Sequence, residues 1–148
     1  YERFPNCHFI RGDSHDPSTV SKFRMVFPPK ALDFGERLLD FDPIDFLFID
    51  RDHTYEGVRQ DFLDYSPFVK KNGIVAFHDT VISDRHHERN VYVGEFWRDL
   101  TRIKNSEDPT MCLIDSEWWK IQEFIELGND WAGIGCLKKC KNDFSKIY

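Results

Sequence analysis

The sequence predicts an α/β layered fold, in which buried strands alternate with amphipathic helices through right-handed crossovers and a hairpin closes the chain. Three observations predict it. Short apolar runs that suit buried strands recur along the chain, helical apolar stripes separate them, and each run ends in acid and imidazole. The runs are Cys7 to Arg11, leading to Asp13 and His15; Ile44 to Ile49, leading to Asp50, Asp52 and His53; and Gly73 to Phe77, leading to His78 and Asp79. In open α/β sheets ligands sit beyond the carboxyl ends of strands, so these polar residues are the expected site.

Taken in order, the first strand is followed by Asp16-Pro17-Ser18, a helix entry, because proline fits a first helical turn and Asp or Ser can cap it. Val20, Phe23 and Met25 to Phe27 give that helix a weak apolar stripe, and Pro28-Pro29 end it. From Pro28 to Asp42 no firm period emerges, so the segment reads as helix or loop. After the second strand, Val58, Phe62, Tyr65 and Val69 fall at i, i+4, i+7 and i+11, one face of a helix from Tyr55. Thr54 or Asp52 caps its start, Pro67 predicts a kink or an end near Tyr65, and Asn72-Gly73 stops the pattern. The third strand leads into a charged loop, Ser83 to Asn90. Val93, Phe96, Trp97, Leu100 and Ile103 then mark another amphipathic helix. Lys120 to Leu127 and Trp131 to Leu137 read as strands around the turn Gly128-Asn129-Asp130, the terminal hairpin.

The 148 residues suit a single domain, 1–148, with one core. A hydrophobic fraction of 41% and an aromatic fraction of 16% exclude a disordered chain. The net charge of −6, with no basic stripe, argues against a nucleic-acid partner; Lys138, Lys139 and Lys141 read as a solvated cluster. No apolar run nears the ~20 residues that span a bilayer, so no membrane partner is expected. Cys7, Cys112, Cys136 and Cys140 lack zinc spacing, and without a secretory signal they read as reduced thiols of a cytoplasmic protein. The chain opens on Tyr1 rather than Met, which reads as a fragment.

Asp50, Asp52 and Asp79, with His53 and His78, bring oxygen and imidazole donors to strand ends that can be neighbours. Converging carboxylates repel, and a divalent cation such as Mg²⁺, Mn²⁺ or Ca²⁺ holds them ionised. His53 reads alternatively as a general base or as a residue that caps a helix start. Asp13 reads equally as a ligand acceptor or a turn residue. His8 and His15 carry weaker signals, while His86 and His87 read as solvated loop residues or as the lining of a substrate entrance.

Together, Phe9 to Asp16, Phe46 to Gly57, Asp61 to Asp79 and Gly133-Ile134-Gly135 resemble the carboxyl-terminal two-thirds of a class I S-adenosylmethionine-dependent methyltransferase. They are most similar to the small-molecule O-methyltransferases grouped with cephalosporin-hydroxylase-like and macrocin-type enzymes. The resemblance implies a Rossmann-like sheet, incomplete here at strands 3 to 7 of the order 3-2-1-4-5-7-6, and ending in an antiparallel hairpin. It implies that Asp13, Ser14 and Asp50 contact the cofactor, Asp13 at the adenine. It further implies that Asp50, His78 and Asp79 hold a divalent metal, Mg²⁺ foremost with Asp52 an alternative to His78 as ligand, and that His53 is the catalytic base. The implied partner is a small-molecule hydroxyl acceptor, with self-association left open.

Two departures stand out: Arg51 occupies a position where the family commonly has glycine, and the Gly-rich cofactor loop with the acid after the next strand is not found. These leave room for a non-catalytic binding or oligomerisation domain of the same fold, to which the many aromatics would lend an interface. Phe46 to Thr54 also fits the apolar strand and Asp-x-Asp-x-Thr of a haloacid-dehalogenase-type phosphohydrolase. That reading lacks a downstream acidic pair.

Overall fold

The computed structural model describes residues 9–26, 44–126 and 131–140. The chain divides into two compact units, Tyr1–Leu39 and Asp40–Tyr148.

In the first unit, helix α1 spans Pro17–Val26 and buries Thr19 and Val20. Asp16 caps it: its carboxylate accepts from the Ser18 N–H at 2.7 Å, and its carbonyl accepts from the N–H groups of Thr19 and Val20. The Ser18 N–H holds the Asp16 carboxyl below the usual aspartate range. Gly12 sits where a Cβ would lie 2.2 Å from Thr19 Oγ1, so only glycine lets the incoming chain pass this close to the helix. The expected first strand is corrected here, because Phe9 to Arg11 are irregular; Cys7 and His8 lie outside the described residues. An apolar run becomes a strand only when a neighbouring strand takes up its backbone hydrogen bonds in a regular ladder, and residues 9–11 belong to no strand of the sheet. The segment 28–42, whose residues show no firm period, also lies outside the described residues.

The second unit is a mixed α/β structure on a five-stranded sheet. Its strands are β1 (Ile44–Ile49), β2 (Val69–His78), β3 (Met111–Ile114), β4 (Glu117–Phe124) and β5 (Ile134–Lys139), arranged β1-β2-β5-β4-β3. β1 and β2 pair in parallel, and every other pair is antiparallel. Helix α2 (Tyr55–Tyr65) joins the parallel pair and ends in the 3₁₀ turn Ser66–Phe68, as Pro67 predicts. A four-residue helix, α3 (Asp84–His87), interrupts the charged loop, and α4 (Val93–Leu100) follows.

Two expectations change. β2 begins at Val69, not Gly73: Ile44 pairs with Val69 and Phe46 with Ile74, so β2 carries three extra residues opposite β1. Asn72 sits inside that irregularity at φ 66°, which makes Asn72-Gly73 a strand bulge instead of a helix stop. The expected terminal strands pair antiparallel as β4 and β5, though over Glu117–Phe124 and Ile134–Lys139, and the turn Gly128-Asn129-Asp130 lies outside the described residues; β4 also pairs with the unforeseen β3. Asp115 and Ser116 turn between them with φ of 48° and 66°, the positive pair that a two-residue hairpin of matching twist requires. The usual Asn-Gly signal for such a turn is replaced here by Asp-Ser.

One face of the sheet carries the core. Ile49, Val75, Phe77 and Leu137 meet Val58 and Phe62 of α2 and Val93, Phe96 and Trp97 of α4. The rings interlock, with centroids 5.8 Å apart for Phe62 and Phe77, 6.0 Å for Phe77 and Phe96, and 5.6 Å for Phe77 and Trp97. Each such buried side chain contributes roughly 1.5–3 kcal/mol. Trp97 and Trp119 thus serve packing, not an outer surface. Among the described residues, no helix is long and apolar enough to cross a membrane.

Candidate functional site

The carboxyl ends of β1 and β2 lie side by side because the two strands run in parallel register, Ile49 opposite Phe77. Asp50 therefore emerges beside His78. His53 returns to the same point because Asp50 to Thr54 form a tight cap for α2. Thr54 Oγ1 accepts from the Gly57 N–H at 3.1 Å, and Asp52 Oδ1 accepts from the Thr54 N–H at 3.0 Å and its hydroxyl at 2.7 Å. A Cβ on Gly57 would lie 2.0 Å from the Asp52 carboxyl carbon, so this glycine is what lets the acid fold against the helix start. Asp52 is thereby engaged in the cap.

His53 is pinned through its carbonyl, which accepts from the Tyr92 N–H at 2.7 Å. Its Nε2 lies 3.2 Å from Asp50 Oδ1 and 3.7 Å from Asp79 Oδ2. His78 Nδ1 lies 3.3 Å from the same Asp50 oxygen and 3.1 Å from Asp79 Oδ1. Asp79 has φ 59°, a left-handed conformation that Asp tolerates better than most residues, and its carboxylate is almost wholly buried. One ligand atom from each of Asp50, His53 and His78 falls within 4.8 Å of the others, a spacing that one metal ion can bridge. His78 Nδ1 and Asp79 Oδ1 are buried and have no hydrogen-bond partner among the described residues. They are close but poorly angled for each other, which leaves lone pairs available to a shared cation.

His86 corrects the sequence reading: it is 1% exposed, not solvated. Its Nδ1–H donates to the Val81 carbonyl at 2.5 Å, and its Nε2 accepts from the Ala132 N–H at 3.3 Å, which assigns the neutral tautomer with the proton on Nδ1. Its ring lies 4.7 Å from Trp131, over which the guanidinium groups of Arg85 and Arg89 also stand. The only hint in the sequence is Ser83, three residues earlier, whose Oγ accepts from the His86 N–H and starts the turn. His87 stays exposed, paired with Glu95 and stacked on Tyr92.

Asp13 and Ser14 belong to the first unit. Asp13 is exposed, and its Oδ1 accepts from the His15 N–H at 3.1 Å, which is the turn role anticipated as one of its two readings. His15 Nδ1 lies 4.0 Å from the same oxygen.

The chain belongs to a methyltransferase family: the family model described as a methyltransferase domain matches residues 5–80, just over half the sequence. That span includes α1, β1, α2, β2 and the Asp50, His53, His78 and Asp79 group. Over 75 residues the chain is 33% identical to a Sinorhizobium fredii protein named uncharacterized protein y4gI. The alignment covers 49% of this chain and 8% of that protein, so this chain spans a small part of its relative's length. No solved structure matches the chain.

Proposed function

We propose that the protein takes part in methyl transfer from S-adenosylmethionine to a hydroxyl of a small molecule, assisted by a divalent cation at Asp50, His78 and Asp79. The observation that carries this reading is the convergence of two carboxylates and two imidazoles at the carboxyl ends of β1 and β2, within the span that matches the family. The strand order supports it. The run β1-β2-β5-β4 follows the 4-5-7-6 part of the order that the class I resemblance implies, with an antiparallel strand set between two others.

The unpaired lone pairs of His78 Nδ1 and Asp79 Oδ1 fit a cation. Two carboxylates and one imidazole suit Mn²⁺ as well as Mg²⁺, and Mn²⁺ serves as the probe ion. A cation bound there would lower the pKa of the acceptor hydroxyl and orient it. Asp50 and Asp79 supply the negative charge that keeps the cation in place. His53 Nε2, 3.2 Å from Asp50, stands at the rim of this group, where it receives the acceptor's proton. Asp50 is a cofactor contact in this reading, and in-line approach of the hydroxyl to the sulfonium methyl depends on its positioning.

Titration calorimetry of the full-length protein with S-adenosylmethionine, with and without Mn²⁺, tests the proposal. Saturable cofactor binding is expected, with Mn²⁺ binding lost in Asp50→Ala and His78→Ala. Absence of cofactor binding would sink it and favour a non-catalytic domain of the same fold. The phosphohydrolase reading loses ground because Asp52, its acid, is tied into the α2 cap.

A further inference from the structure

On the core side of the sheet, the loop after β2, helix α4 and the end of β4 enclose a cleft of about 510 Å³, within the range of small-molecule sites. Its walls are preformed. Gly94 lets α4 start against the loop, since a Cβ there would lie 2.7 Å from Ile82 Cγ1 and 3.0 Å from the Thr80 carbonyl. The Trp97 indole is fixed from two sides: its N–H donates to Glu123 Oε1 at 2.5 Å, and its ring packs on Gly135, where a Cβ would lie 2.7 Å away.

The charge of the lining is uneven. Arg98, Arg102 and Lys104 face a single carboxylate, Glu123, which the indole already engages. Among the described residues, Arg102 and Lys104 have no ion-pair partner, and Arg98 reaches only its neighbour Asp99, at 3.6 Å. Beside these cations lie the apolar surfaces of Trp97, Val81, Ile82 and Ile125. Thr80, 5% exposed with an Oγ1 that finds no hydrogen-bond partner among the described residues, completes the wall. A site with cations at one side and a rigid indole with aliphatic surface at the other complements a molecule that is anionic at one end and apolar at the other.

We propose that this cleft binds a small amphiphilic anion, its acidic group among Arg98, Arg102 and Lys104 and its apolar body on Trp97 and Ile82. Thr80 directly follows Asp79, so the wall of the cleft is continuous with the backbone of the acid–imidazole group. In the methyl-transfer reading, on which only this assignment of role rests, the occupant is the acceptor. Binding itself requires neither cofactor nor metal.

The test uses the full chain without cofactor or metal, titrated with benzoate, its neutral analogue benzamide, and inorganic phosphate, and followed by the NMR signals of the Trp97 indole N–H and the Thr101 amide. Benzoate is expected to shift both signals saturably, at least tenfold more tightly than benzamide or phosphate. The surface variant Arg98→Gln/Arg102→Gln is expected to weaken benzoate at least tenfold while its spectrum stays folded. Equal affinity for benzamide, phosphate as tight as benzoate, an unaffected double variant, or absence of saturable shifts at Trp97 each overturns the proposal. Benzoate binding in Asp50→Ala is expected to be unchanged. Loss of cofactor binding elsewhere therefore leaves this result standing, and failure here leaves the methyl-transfer reading standing.

Discussion

His86 shows how much one side chain can hold. Replacing it with Ala removes a buried ring, empties its space beside Trp131 and leaves the Val81 carbonyl and the Ala132 N–H without their partner. Cavity and unsatisfied polar groups add, so urea unfolding of His86→Ala is expected to show a loss of about 3 kcal/mol. Cys112 is a second informative residue. Burial pushes its thiol up to about 11 from an ordinary 9.0. A thiol harder to ionise when folded leaves stability intact below the unfolded value and removes it as the pH rises toward the folded one. Stability measured from pH 8 to 11 is thus expected to fall in the upper part of that range, with a shallower fall in Cys112→Val. Iodoacetamide at pH 8 is expected to label the half-buried Cys136 and Cys140 before Cys112.

Among the elements, two glycines govern how strand and helix meet. Gly135 lies in β5 under the Trp97 ring, and Gly57 lies in the first turn of α2 against Asp52. A methyl group at either point must displace its neighbour, but the consequences differ. Gly135→Ala is expected to cost about 1–3 kcal/mol of overall stability in a thermal or denaturant melt, because it pushes an indole that is held by Glu123 and the core. Gly57→Ala pushes an acid at the edge of the site, so its larger effect is expected on the turn that carries Asp50 and His53, read as weakened Mn²⁺ binding by calorimetry. Thr54→Ala removes the hydroxyl that caps α2 and is expected to cost about 1 kcal/mol.

For the folded protein as a whole, cation binding and stability are linked. An ion that binds the folded arrangement of Asp50, His78 and Asp79 but not the unfolded chain stabilises by about 2.7 kcal/mol at a hundredfold excess over its dissociation constant. Melting with and without Mn²⁺ is expected to show a raised midpoint that chelation reverses, and no rise in Asp50→Ala or His78→Ala. An unchanged midpoint in the native protein would remove the metal from the proposed reaction while leaving its family membership in place.

Much of this arrangement was legible in the residues. The apolar runs at 44–49 and 73–77, the stripe of α2, the stop at Pro67, the stripe of α4 and the final hairpin all rest on local pattern: backbone hydrogen bonding and side-chain period act over a few residues. The acids and imidazoles at the strand ends were legible for the same reason, since a strand that ends must deliver its next residues at its carboxyl edge. Other features depend on distant partners. Phe9 to Arg11 carries an apolar pair but is irregular and belongs to no strand of the sheet. β3 exists because β4 offers it an edge, and Asp52 is drawn into a cap while Asp50, two residues away, joins the cluster. His86 sits in as polar a string as the chain contains, yet Val81 and Ala132, brought together by the pairing of β2 with β5, bury and satisfy it. Local sequence specifies what each segment can form; which segments find partners, and so which acid or imidazole faces a site, follows from contacts between residues far apart along the chain.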